Sequence, residues 1–509
     1  MKKITRRDFI NLSAATIGTA IVSGTQPSAG STSPVNPIVE GNQIRESPRS
    51  IPVMAECDVL VVGSGPAGLS AALAAAKEDA HTIIVERYGF FGGVITQVNM
   101  GSFAWYRYAH TVDAGGIMKE FESRAKEMGA SVDPFAYLKK IPFATGVLEK
   151  EGLLVKGVPT YEELDTEMFK HVADTMLLEA GIVPILHCFA VSAVMDGNVI
   201  KGIITESKSG RQAILAKRVI DATGDADIAN FAGAPFRKSP KNELMEVTTN
   251  FSCTDVNLRS LMIDSLLHTG KMKDWAYETS GKEDEMASTA LVKPFKKAKQ
   301  AGEIPQDWFV ESYWSVMRPS AEIQSMDAVH MTGIDVTDVW DLTRAEMEGR
   351  KRSIKAMEAL RKYQPGFSKA RIRNFCTSLG ARESRKIIGA CTITEHDIKN
   401  QARFADSIGI CPEFIDGYNI LYMPTTGRYF QVPYGIILPQ GVENLLVAGR
   451  CVAGDKISHA ATRQMACCMV TGQGAGVAAA VSLKDNVTCR QVTIAEVQDR
   501  LMKQNVRIA

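Results

Sequence analysis

A glycine-rich turn between an apolar strand and a helix restricts the fold of this chain more than any other feature. Residues 57–62 read CDVLVV, a continuous apolar run typical of buried parallel strands. The turn GSGPAG follows at once, and the Ala- and Leu-rich run LSAALAAAKED after it predicts a helix. Gly63 permits the tight turn, Gly65 lets the backbone approach a pyrophosphate, and Gly68 lets the helix pack closely on the strand. The order of strand, turn and helix therefore predicts a dinucleotide site.

A second apolar strand supports the same site. Residues 81–85 end in Glu86, eighteen residues after Gly68. A carboxylate in that place can accept hydrogen bonds from an adenosine ribose. The pyrophosphate would lie at the helix N-terminus, where free N–H groups and the helix dipole favour anions. Strand, glycines, helix, strand and acid in this order are far more specific than a lone GxGxxG motif.

The composition fits an enzyme-sized globular protein. The chain has 509 residues, 45% of them apolar, which is enough for more than one domain and a large buried core. Its net charge is +1, so the chain as a whole has no electrostatic signature of nucleic-acid binding or of attraction to an anionic membrane. Because no apolar run reaches the roughly 18 residues of a membrane-spanning helix, we expect no transmembrane segment.

The N-terminus has the features of an export signal. Residues 2–7 are rich in Lys and Arg, and a weakly apolar stretch follows. The run TRRDFI resembles the twin-arginine signal, which exports folded proteins, although Asn11 stands where a lysine is common. We predict a signal peptide over 1–30, export by the twin-arginine translocase to the periplasm or beyond, and a flexible linker over 31–55. The alternative is a basic, disordered N-terminus of a cytoplasmic protein.

Two distant segments add to the dinucleotide site. Residues 183–194, 197–206 and 211–221 alternate like three short strands and end in VIDATGD. Near the C-terminus, NLLVAGR at 444–450 is another strand-to-loop unit, and the helical run MACCMVTGQGAGVAAAVSL follows it after a short interval.

These segments resemble the glutathione-reductase-like flavoproteins, and in particular the bacterial FAD-dependent oxidoreductases, which are distantly similar to the heterodisulfide reductase A flavoprotein. The motifs that carry the resemblance are GSGPAG, ERYGFFGG, IDATGDAD, LGARESRKIIG, VPYGIILP and NLLVAGRCVAGDKISHAATRQM. They cover about 57–120, 160–235 and 375–482. The Fe–S cysteine motifs of a heterodisulfide reductase subunit are missing, so we do not expect that function.

The resemblance implies bound FAD and an α/β fold. We expect a Rossmann-like FAD-binding domain with a three-stranded β-meander, assembled from 56–235 and 371–485. An α+β substrate domain would occupy 236–370, and 486–509 would form a C-terminal segment. The cofactor-binding residues that the resemblance implies, beyond the three glycines and Glu86, are Pro66, Ala67, Arg87, Gly93, Ala190, Thr223, Gly224, Asp225, Gly449 and Arg450.

Candidates for the chemistry lie beside those motifs. Arg382 could bind a substrate carboxylate with both arms of its guanidinium, or it could form a network with Glu383 that fixes the loop. His459 and Arg463 are four residues apart, so a helix would place them on one face, just before the helix expected to point at the flavin. His459 could act as a general acid or base near neutral pH, and a buried, hydrogen-bonded histidine is the alternative. We predict Arg382, His459 and Arg463 as catalytic residues.

One segment raises the question of covalent FAD. HTVDAGG at 110–116 looks like the histidine segment that carries covalent FAD in succinate dehydrogenase and fumarate reductase flavoproteins. However, His110 follows Glu86 by 24 residues, later than in that family, and the intervening GGVITQ loop matches the other group. We therefore expect FAD to be bound non-covalently.

The remaining residues give weaker signals. The ten cysteines contain no CxxC pair, and we predict no metal site. Residues 236–370 contain four of the five tryptophans, and for most of them we expect ordinary core packing. Residues 281–304 and 343–362 have the pattern of charged helices, for which we expect a solvated surface.

The sequence as a whole predicts an exported FAD-dependent oxidoreductase that transfers a hydride between a small organic substrate and flavin N5. No second GxGxxG follows a strand, so dioxygen, a quinone or a small redox protein is a better second partner than a nicotinamide. The alternatives are a respiratory-type reductase of an unsaturated organic acid, a flavin-dependent RNA-modifying protein like the GidA flavoproteins, and a non-catalytic FAD-binding module. The neutral net charge and the export signal argue against binding of nucleic acid.

Overall fold

The computed structural model places the chain in two units. It describes residues 38–40, 42–46, 48–101, 114–133, 138–140, 145–146, 149, 154–155, 158–159, 163–267, 282–283, 289–310, 314–318, 322–418, 420–423 and 428–509. In the first unit, 1–52, the described part contains an antiparallel hairpin of β1 (Ile38–Glu40) and β2 (Gln43–Arg45). The predicted signal peptide lies outside the described residues. The second unit is Val53–Ala509.

The second unit contains both strands and helices. Its strands are β3 (Val53–Val62), β4 (Thr82–Val85), β5 (Ser131–Val132), β6 (Leu154–Val155), β7 (Val158–Pro159), β8 (Glu163–Leu164), β9 (Val183–Ile185), β10 (Phe189–Asp196), β11 (Val199–Ser207), β12 (Gly210–Asp221), β13 (Phe236–Arg237), β14 (Val247–Thr248), β15 (Phe251–Thr254), β16 (Lys282–Glu283), β17 (Trp314–Arg318), β18 (Glu322–Asp327), β19 (His330–Met331), β20 (Arg371–Phe375), β21 (Lys386–Ile387), β22 (Ser407–Pro412), β23 (Ile415–Gly417), β24 (Ile420–Met423), β25 (Tyr429–Pro433) and β26 (Leu445–Val447). Its α-helices are α1 (Pro66–Lys77), α2 (Val94–Gln97), α3 (Ile117–Glu127), α4 (Met168–Glu179), α5 (Asp227–Phe231), α6 (Leu258–Leu267), α7 (Thr289–Gln300), α8 (Val339–Tyr363), α9 (Glu395–Lys399), α10 (Lys456–Thr462), α11 (Met465–Lys484) and α12 (Ile494–Lys503). Short 3-10 helices cover Leu138–Lys140, Lys241–Glu243 and Tyr434–Ile437.

A seven-stranded sheet with a parallel centre organises the second unit. Strands β26, β12, β3, β4 and β9 run parallel in that order, so their carboxyl ends meet at one edge. β12 pairs with β3 as far as Asp221↔Val62, and β4 pairs with β3 as far as Val85↔Val62. β4 and the last four residues of β3 are buried, as expected for strands covered on both faces. The predicted Rossmann-like α/β fold is confirmed.

Strands β10, β11 and β12 form the predicted three-stranded antiparallel meander. The expectation of one strand over 183–194 is wrong, because the structure divides this stretch into two elements. β9 pairs in parallel with β4, and β10 begins the meander. Between them His187 has φ 54°, a left-handed conformation that interrupts an extended strand.

Two apolar helices, α1 and α11, are buried in the larger core of the second unit. A Cβ at Gly472 of α11 would lie 2.1 Å from the backbone oxygen of Ala67, so a glycine is needed where the two helices meet. By length and composition α11 could cross a membrane, but 94% of its most apolar 18-residue stretch is buried within the fold. In this structure α11 is a core helix.

A second apolar core lies within residues 251–375. Strands β17, β18, β15 and β20 form an antiparallel sheet in that order. Phe251, Phe295, Met326, Leu360 and Phe367 form part of this core, and the long helix α8 contributes one face to it. These residues belong to the region predicted as an α+β substrate domain, and the exact domain boundaries stay a prediction.

Candidate active site

The predicted glycine turn lies at the carboxyl edge of the parallel sheet, directly after β3. Gly63 has φ +93°, and a Cβ there would come 2.5 Å from the backbone oxygen of Ala222. A Cβ at Gly68 would come 1.9 Å from the backbone oxygen of Gly63. Both positions therefore exclude a side chain for reasons of folding alone. Gly65 differs, because the nearest heavy atom to a Cβ built on it is Gly93 Cα at 3.9 Å, so the space in front of Gly65 is open.

Helix α1 presents its N-terminus at this turn. Gly65 is its N-cap and Pro66 its first residue, and no side chain caps the free N–H groups. The first turn contains no acidic residue either, so the positive end of the helix dipole is not offset by the helix itself. An anion such as a pyrophosphate fits this helix end, as expected for the parallel-sheet edge of a dinucleotide site.

Glu86 directly follows β4 and holds the turn from the other side. Its Oε2 accepts hydrogen bonds from the backbone N–H (3.0 Å) and the hydroxyl (2.6 Å) of Ser64, and its Oε1 accepts one from the N–H of Tyr88 (3.0 Å). A carboxylate can accept about four hydrogen bonds. Glu86 therefore braces the loop and retains capacity for the predicted ribose contact.

The second motif, at the end of β12, is held by a buried acid. Asp221 accepts hydrogen bonds from the hydroxyl of Thr223 (2.7 Å) and from the N–H of Ala229 (2.9 Å). Burial raises the pKa of Asp221 to about 6. The Thr223 hydroxyl is thus engaged within the loop, while Gly224, with φ +84°, turns the chain towards Asp225.

The third motif meets the second through an ion pair. Arg450 Nη2 lies 2.7 Å from Asp225 Oδ1, and the N–H of Gly449 donates to the Thr471 hydroxyl at 2.9 Å. Arg450 Nη1 is buried and has no hydrogen-bond partner within the described residues. A buried guanidinium nitrogen without a partner is costly, so an acceptor on a bound cofactor fits here.

The structure thus brings together most of the predicted FAD-binding residues at one sheet edge. A Cβ on Gly93 would lie 2.5 Å from Gly65 Cα, so the loop after Glu86 touches the glycine turn. Arg87 interacts electrostatically with Asp225, so it also lies near this edge. Arg87 is exposed with its guanidinium 5.1 Å from the Tyr88 ring centroid, and Ala190 pairs with Thr205 at the start of the meander. The contacts of all these residues with FAD stay a prediction.

A second group of polar side chains, the polar cluster, consists of Glu246, Asp327, His330 and Arg382. Arg382 Nη1 lies 3.2 Å from Glu246 Oε1, and its Nη2 lies 3.1 Å from Asp327 Oδ2 and 3.3 Å from His330 Nε2. His330 Nε2 also lies 3.1 Å from Asp327 Oδ1. Burial alone would raise the pKa of Asp327, but His330 and Arg382 hold it below its usual value. Asp327 is therefore a carboxylate that orients both neighbours.

His330 is a candidate that the sequence analysis missed. The side chain of His330 is 13% exposed, its ring centroid lies 4.8 Å from that of Phe309, and its Nε2 is directed at Asp327 and Arg382. An imidazole paired with a carboxylate and partly exposed has the arrangement of a proton-transfer group. No motif marks it, and the pairing of β18 and β19 with distant strands is what brings it to Arg382.

The segment 381–386 connects the polar cluster to the cofactor edge. While Arg382 contacts the cluster, the Ser384 hydroxyl donates to Asp225 Oδ1 at 2.6 Å. Arg385 donates to the backbone oxygen of Asp225 and to Asp227 Oδ1, both at 2.9 Å. Glu383 forms a buried ion pair with Lys386. The alternative expected for Arg382 was a network with Glu383. That expectation is wrong, because Arg382 pairs with Glu246 and Asp327 instead.

His459 and Arg463 lie on one face at the end of α10, as the spacing predicts. His459 is fully buried, and its Nε2 lies 3.0 Å from the backbone oxygen of Arg382. Because a carbonyl oxygen can only accept, Nε2 carries the hydrogen, and Nδ1 has no partner within the described residues. Arg463 donates to the backbone oxygen of Asp416 and lies 3.0 Å from its carboxylate. Both residues border the cluster, but their catalytic roles stay a prediction.

The protonation of His459 limits its part in the chemistry. Burial and the Lys386 cation lower its pKa to about 3, so it is neutral near pH 7 and gains no proton there. The contact of His459 with the backbone of Arg382 favours a role in positioning Arg382. A role of His459 as a general acid or base is less favoured.

The low pKa of His459 predicts a pH-dependent contribution to stability. The unfolded chain, with an ordinary pKa near 6.5, binds a proton below that pH, whereas the folded chain does not. The contribution of neutral His459 is thus complete above about pH 6.5 and is lost as the pH falls towards 3. His459→Gln keeps a donor for Arg382 but cannot titrate. In urea unfolding, we expect the difference in unfolding free energy between wild type and variant to fall by about 2 kcal/mol from pH 7 to pH 5. A difference independent of pH would show that His459 is not held neutral.

Two expectations concern covalent FAD at His110 and the absence of a metal site. His110 lies outside the described residues. Within the described residues, no group of three or more His, Cys, Asp and Glu side chains is arranged to hold a metal ion.

The sequence is similar to a known family over most of its length. The model of the FAD dependent oxidoreductase family matches residues 58–501. The thiamine thiazole synthase of Saccharolobus solfataricus is 26% identical over 262 residues, 50% of this chain and 86% of the synthase. The 4-oxocyclohex-2-ene-1-carboxylate 5-dehydrogenase of Sinomonas cyclohexanicum is 37% identical over 100 residues, 19% of this chain and 17% of that enzyme.

Solved structures align with the chain at low identity. A geranylgeranyl bacteriochlorophyll reductase-like protein of Thermoplasma acidophilum aligns with a TM-score of 0.41 and 14% identity, over 89% of this chain and 84% of that protein. L-proline dehydrogenase from P. horikoshii aligns with a TM-score of 0.40 and 13% identity, over 90% of this chain and 100% of the dehydrogenase.

Proposed function

Because this chain belongs to the family of FAD-dependent oxidoreductases, we propose that it transfers a hydride between flavin N5 and a small polar organic substrate held at the polar cluster. FAD, its cofactor, supplies the two-electron redox chemistry when bound. Gly63, Gly65 and the N-terminus of α1 would hold its pyrophosphate, Glu86 its ribose, and Arg450 a further acceptor atom.

The observation that carries this proposal is the segment 381–386. Within six residues it contacts both the Asp225 loop of the cofactor edge and the Asp327–His330 pair of the polar cluster. A substrate beside Arg382 would therefore be near both the cofactor and a group that can move a proton. The substrate's own polar atoms would compete for the Arg382 donors, which favours hydroxy acids, amino acids and other small polar compounds.

Flavin reduction tests the proposal and identifies the substrate class. Purified FAD-loaded protein is mixed anaerobically with a panel of alcohols, amines, sugars and hydroxy acids, and flavin absorbance is followed. We expect at least one compound to bleach the flavin. If none does, the photoreduced protein is mixed with unsaturated organic acids, and reoxidation by one of them would assign the reverse direction. A flavin inert in both directions would favour a non-catalytic FAD-binding module. Dioxygen, quinones and small redox proteins are then compared as second partners of the reduced protein.

Non-covalent binding of FAD is a separate prediction. Acid precipitation of the purified protein should release intact FAD into the supernatant, because His110 follows Glu86 later than the histidine of the flavoproteins that carry covalent FAD. His110→Ala serves as the control and should hold the same amount of FAD as wild type. Colour that stays with the precipitate in wild type and disappears from it in the variant would assign a covalent link to His110.

We also propose that the chain is exported by the twin-arginine pathway. The support is the run TRRDFI followed by a weakly apolar stretch. Converting Arg6 and Arg7 together to Lys keeps the charge, so we expect the precursor to stay in the cytoplasm, folded and already containing FAD. Converting Lys2 and Lys3 to Arg is the matched control and should leave export intact. Export of the first variant in a cell-fractionation experiment would exclude this pathway.

A further inference from the structure

Helix α8 is apolar on two opposite faces. Its inner face, which includes Ala345, Gly349, Ala356 and Leu360, is buried. On the other side lie Trp340, Met347 and Ile354, with exposed fractions of 80%, 66% and 46%. Single exposed apolar residues are common on protein surfaces, but three on one side of one helix are not.

Three of these exposed apolar residues, Trp340, Met347 and Ile354, form a row of spaced side chains, which we call the outer stripe. Trp340, Met347 and Ile354 follow one another at intervals of seven residues, about two helical turns, and therefore lie nearly in line along the axis. At about 1.5 Å per residue the stripe is about 21 Å long. The surface expected to be solvated over residues 343–362 therefore includes Met347 and Ile354 beside its charged side chains, and Trp340 is not a core residue.

Basic side chains flank the outer stripe on both sides. The helix carries seven basic and four acidic residues. Helical spacing places Arg344, Lys351 and Lys355 along one side of the stripe and Arg350 along the other. Their side chains are between 42% and 68% exposed. Each of these four basic residues has an acidic partner within four residues of the chain. The helix nevertheless has more basic than acidic residues, which the nearly neutral net charge of the whole chain does not indicate.

We propose that the outer stripe docks on the surface of an anionic lipid bilayer. Helices that lie in the membrane interface typically combine tryptophan and aliphatic residues with basic residues on either side. Their apolar side chains enter the headgroup boundary, and their cations contact anionic lipid. Trp340, at the N-terminal end of α8, would take the headgroup position that tryptophan prefers. A second copy of this chain fits less well, because two such faces would bring cationic flanks together.

Docking on a bilayer does not depend on the proposed redox reaction. Docking would bring the enzyme to the bilayer, in which a lipid-soluble electron acceptor is dissolved. The inner face of α8 stays packed against the second core, so the bilayer contact requires no rearrangement of the fold.

Vesicle binding tests this proposal on the FAD-loaded full chain. The protein is sedimented with phosphatidylcholine vesicles that contain about one third phosphatidylglycerol, and with phosphatidylcholine vesicles alone. We expect binding to the anionic vesicles, weaker binding as salt is added, and at least a tenfold loss of affinity in the triple variant Trp340→Ser, Met347→Ser, Ile354→Ser. Leu178→Ser removes a single apolar side chain of α4 that is 60% exposed, and it should bind like wild type.

Three results would overturn the proposal: no sedimentation of wild type with anionic vesicles, equal binding by the triple variant, or self-association in sedimentation velocity that the triple variant abolishes. The last would assign the outer stripe to a second copy of the chain. FAD content and anaerobic flavin reduction are measured on the same samples. Because the triple variant leaves the cofactor edge and the polar cluster intact, both should be unchanged, which separates a failure of docking from a failure of the proposed reaction.

Discussion

Replacing Gly65 with alanine should give a folded protein that no longer retains FAD. A Cβ at this position meets only Gly93 Cα, at 3.9 Å, so the fold has room for it. The same Cβ would occupy the space through which the pyrophosphate approaches the N-terminus of α1. We expect at least a hundredfold weaker FAD binding with a melting temperature of the FAD-free protein within a few degrees of wild type, and a still larger loss for Gly65→Val.

Gly68→Ala is the contrasting variant. Its Cβ would lie 1.9 Å from the backbone oxygen of Gly63, so the helix would have to move away from the strand. We expect this variant to lose FAD and thermal stability together. Flavin absorbance measured beside thermal unfolding separates the two positions. Normal FAD content in Gly65→Ala would contradict the placement of the pyrophosphate at this turn.

His330→Gln should slow flavin reduction without loss of FAD. Glutamine retains a polar contact with Asp327 but cannot take up or release a proton. If His330 moves the substrate proton, the rate of anaerobic flavin reduction by the compound found in the panel should fall by roughly a hundredfold to ten-thousandfold. His396→Gln is the matched control, because His396 is exposed on α9, and it should behave like wild type.

Variants of Arg382 distinguish a role in catalysis from a role in holding the cluster. Arg382→Lys keeps the charge but removes the planar fork that contacts Glu246 and Asp327, so we expect a higher apparent substrate constant with a smaller change in the limiting rate. If His330 and Arg382 only brace the fold, their variants would lose FAD and stability together, and the reduction rate per bound flavin would stay at the wild-type value.

The cofactor edge could be predicted from sequence because its parts are local. The spacing from Gly63 to Gly68 and the acid after β4 follow from how a parallel strand, a tight turn and a helix must connect. The structure confirms this α/β arrangement. The structure also shows contacts that the motifs do not predict. The Thr223 hydroxyl donates a hydrogen bond to Asp221, and one nitrogen of Arg450 lacks a hydrogen-bond partner within the described chain.

The polar cluster could be predicted only in part, since its members come from distant segments. Arg382 lies in a recognisable motif, but Glu246 and Asp327 precede it by 136 and 55 residues, in a region without motifs. Their meeting depends on how the strands of 247–331 pair, and a single sequence does not specify that pairing.

The position of His459 could also be predicted only in part from the sequence. Its position on one face with Arg463 follows from helical spacing, and Asp455, the N-cap of α10, fixes where that helix begins. Which face turns inward depends on the packing of the whole unit. That packing buries His459 and lowers its pKa, which the helical spacing alone does not predict.

The most direct test of the proposed site is an experimental structure of the FAD-loaded protein. We expect the pyrophosphate to be hydrogen-bonded by the backbone N–H groups of the Gly63–Gly68 turn at the start of α1, an acceptor atom of the cofactor beside Arg450 Nη1, and the flavin ring within reach of a small molecule bound at His330 and Arg382. FAD bound away from the glycine turn, or a flavin ring separated from the polar cluster by packed protein, would contradict the proposed site.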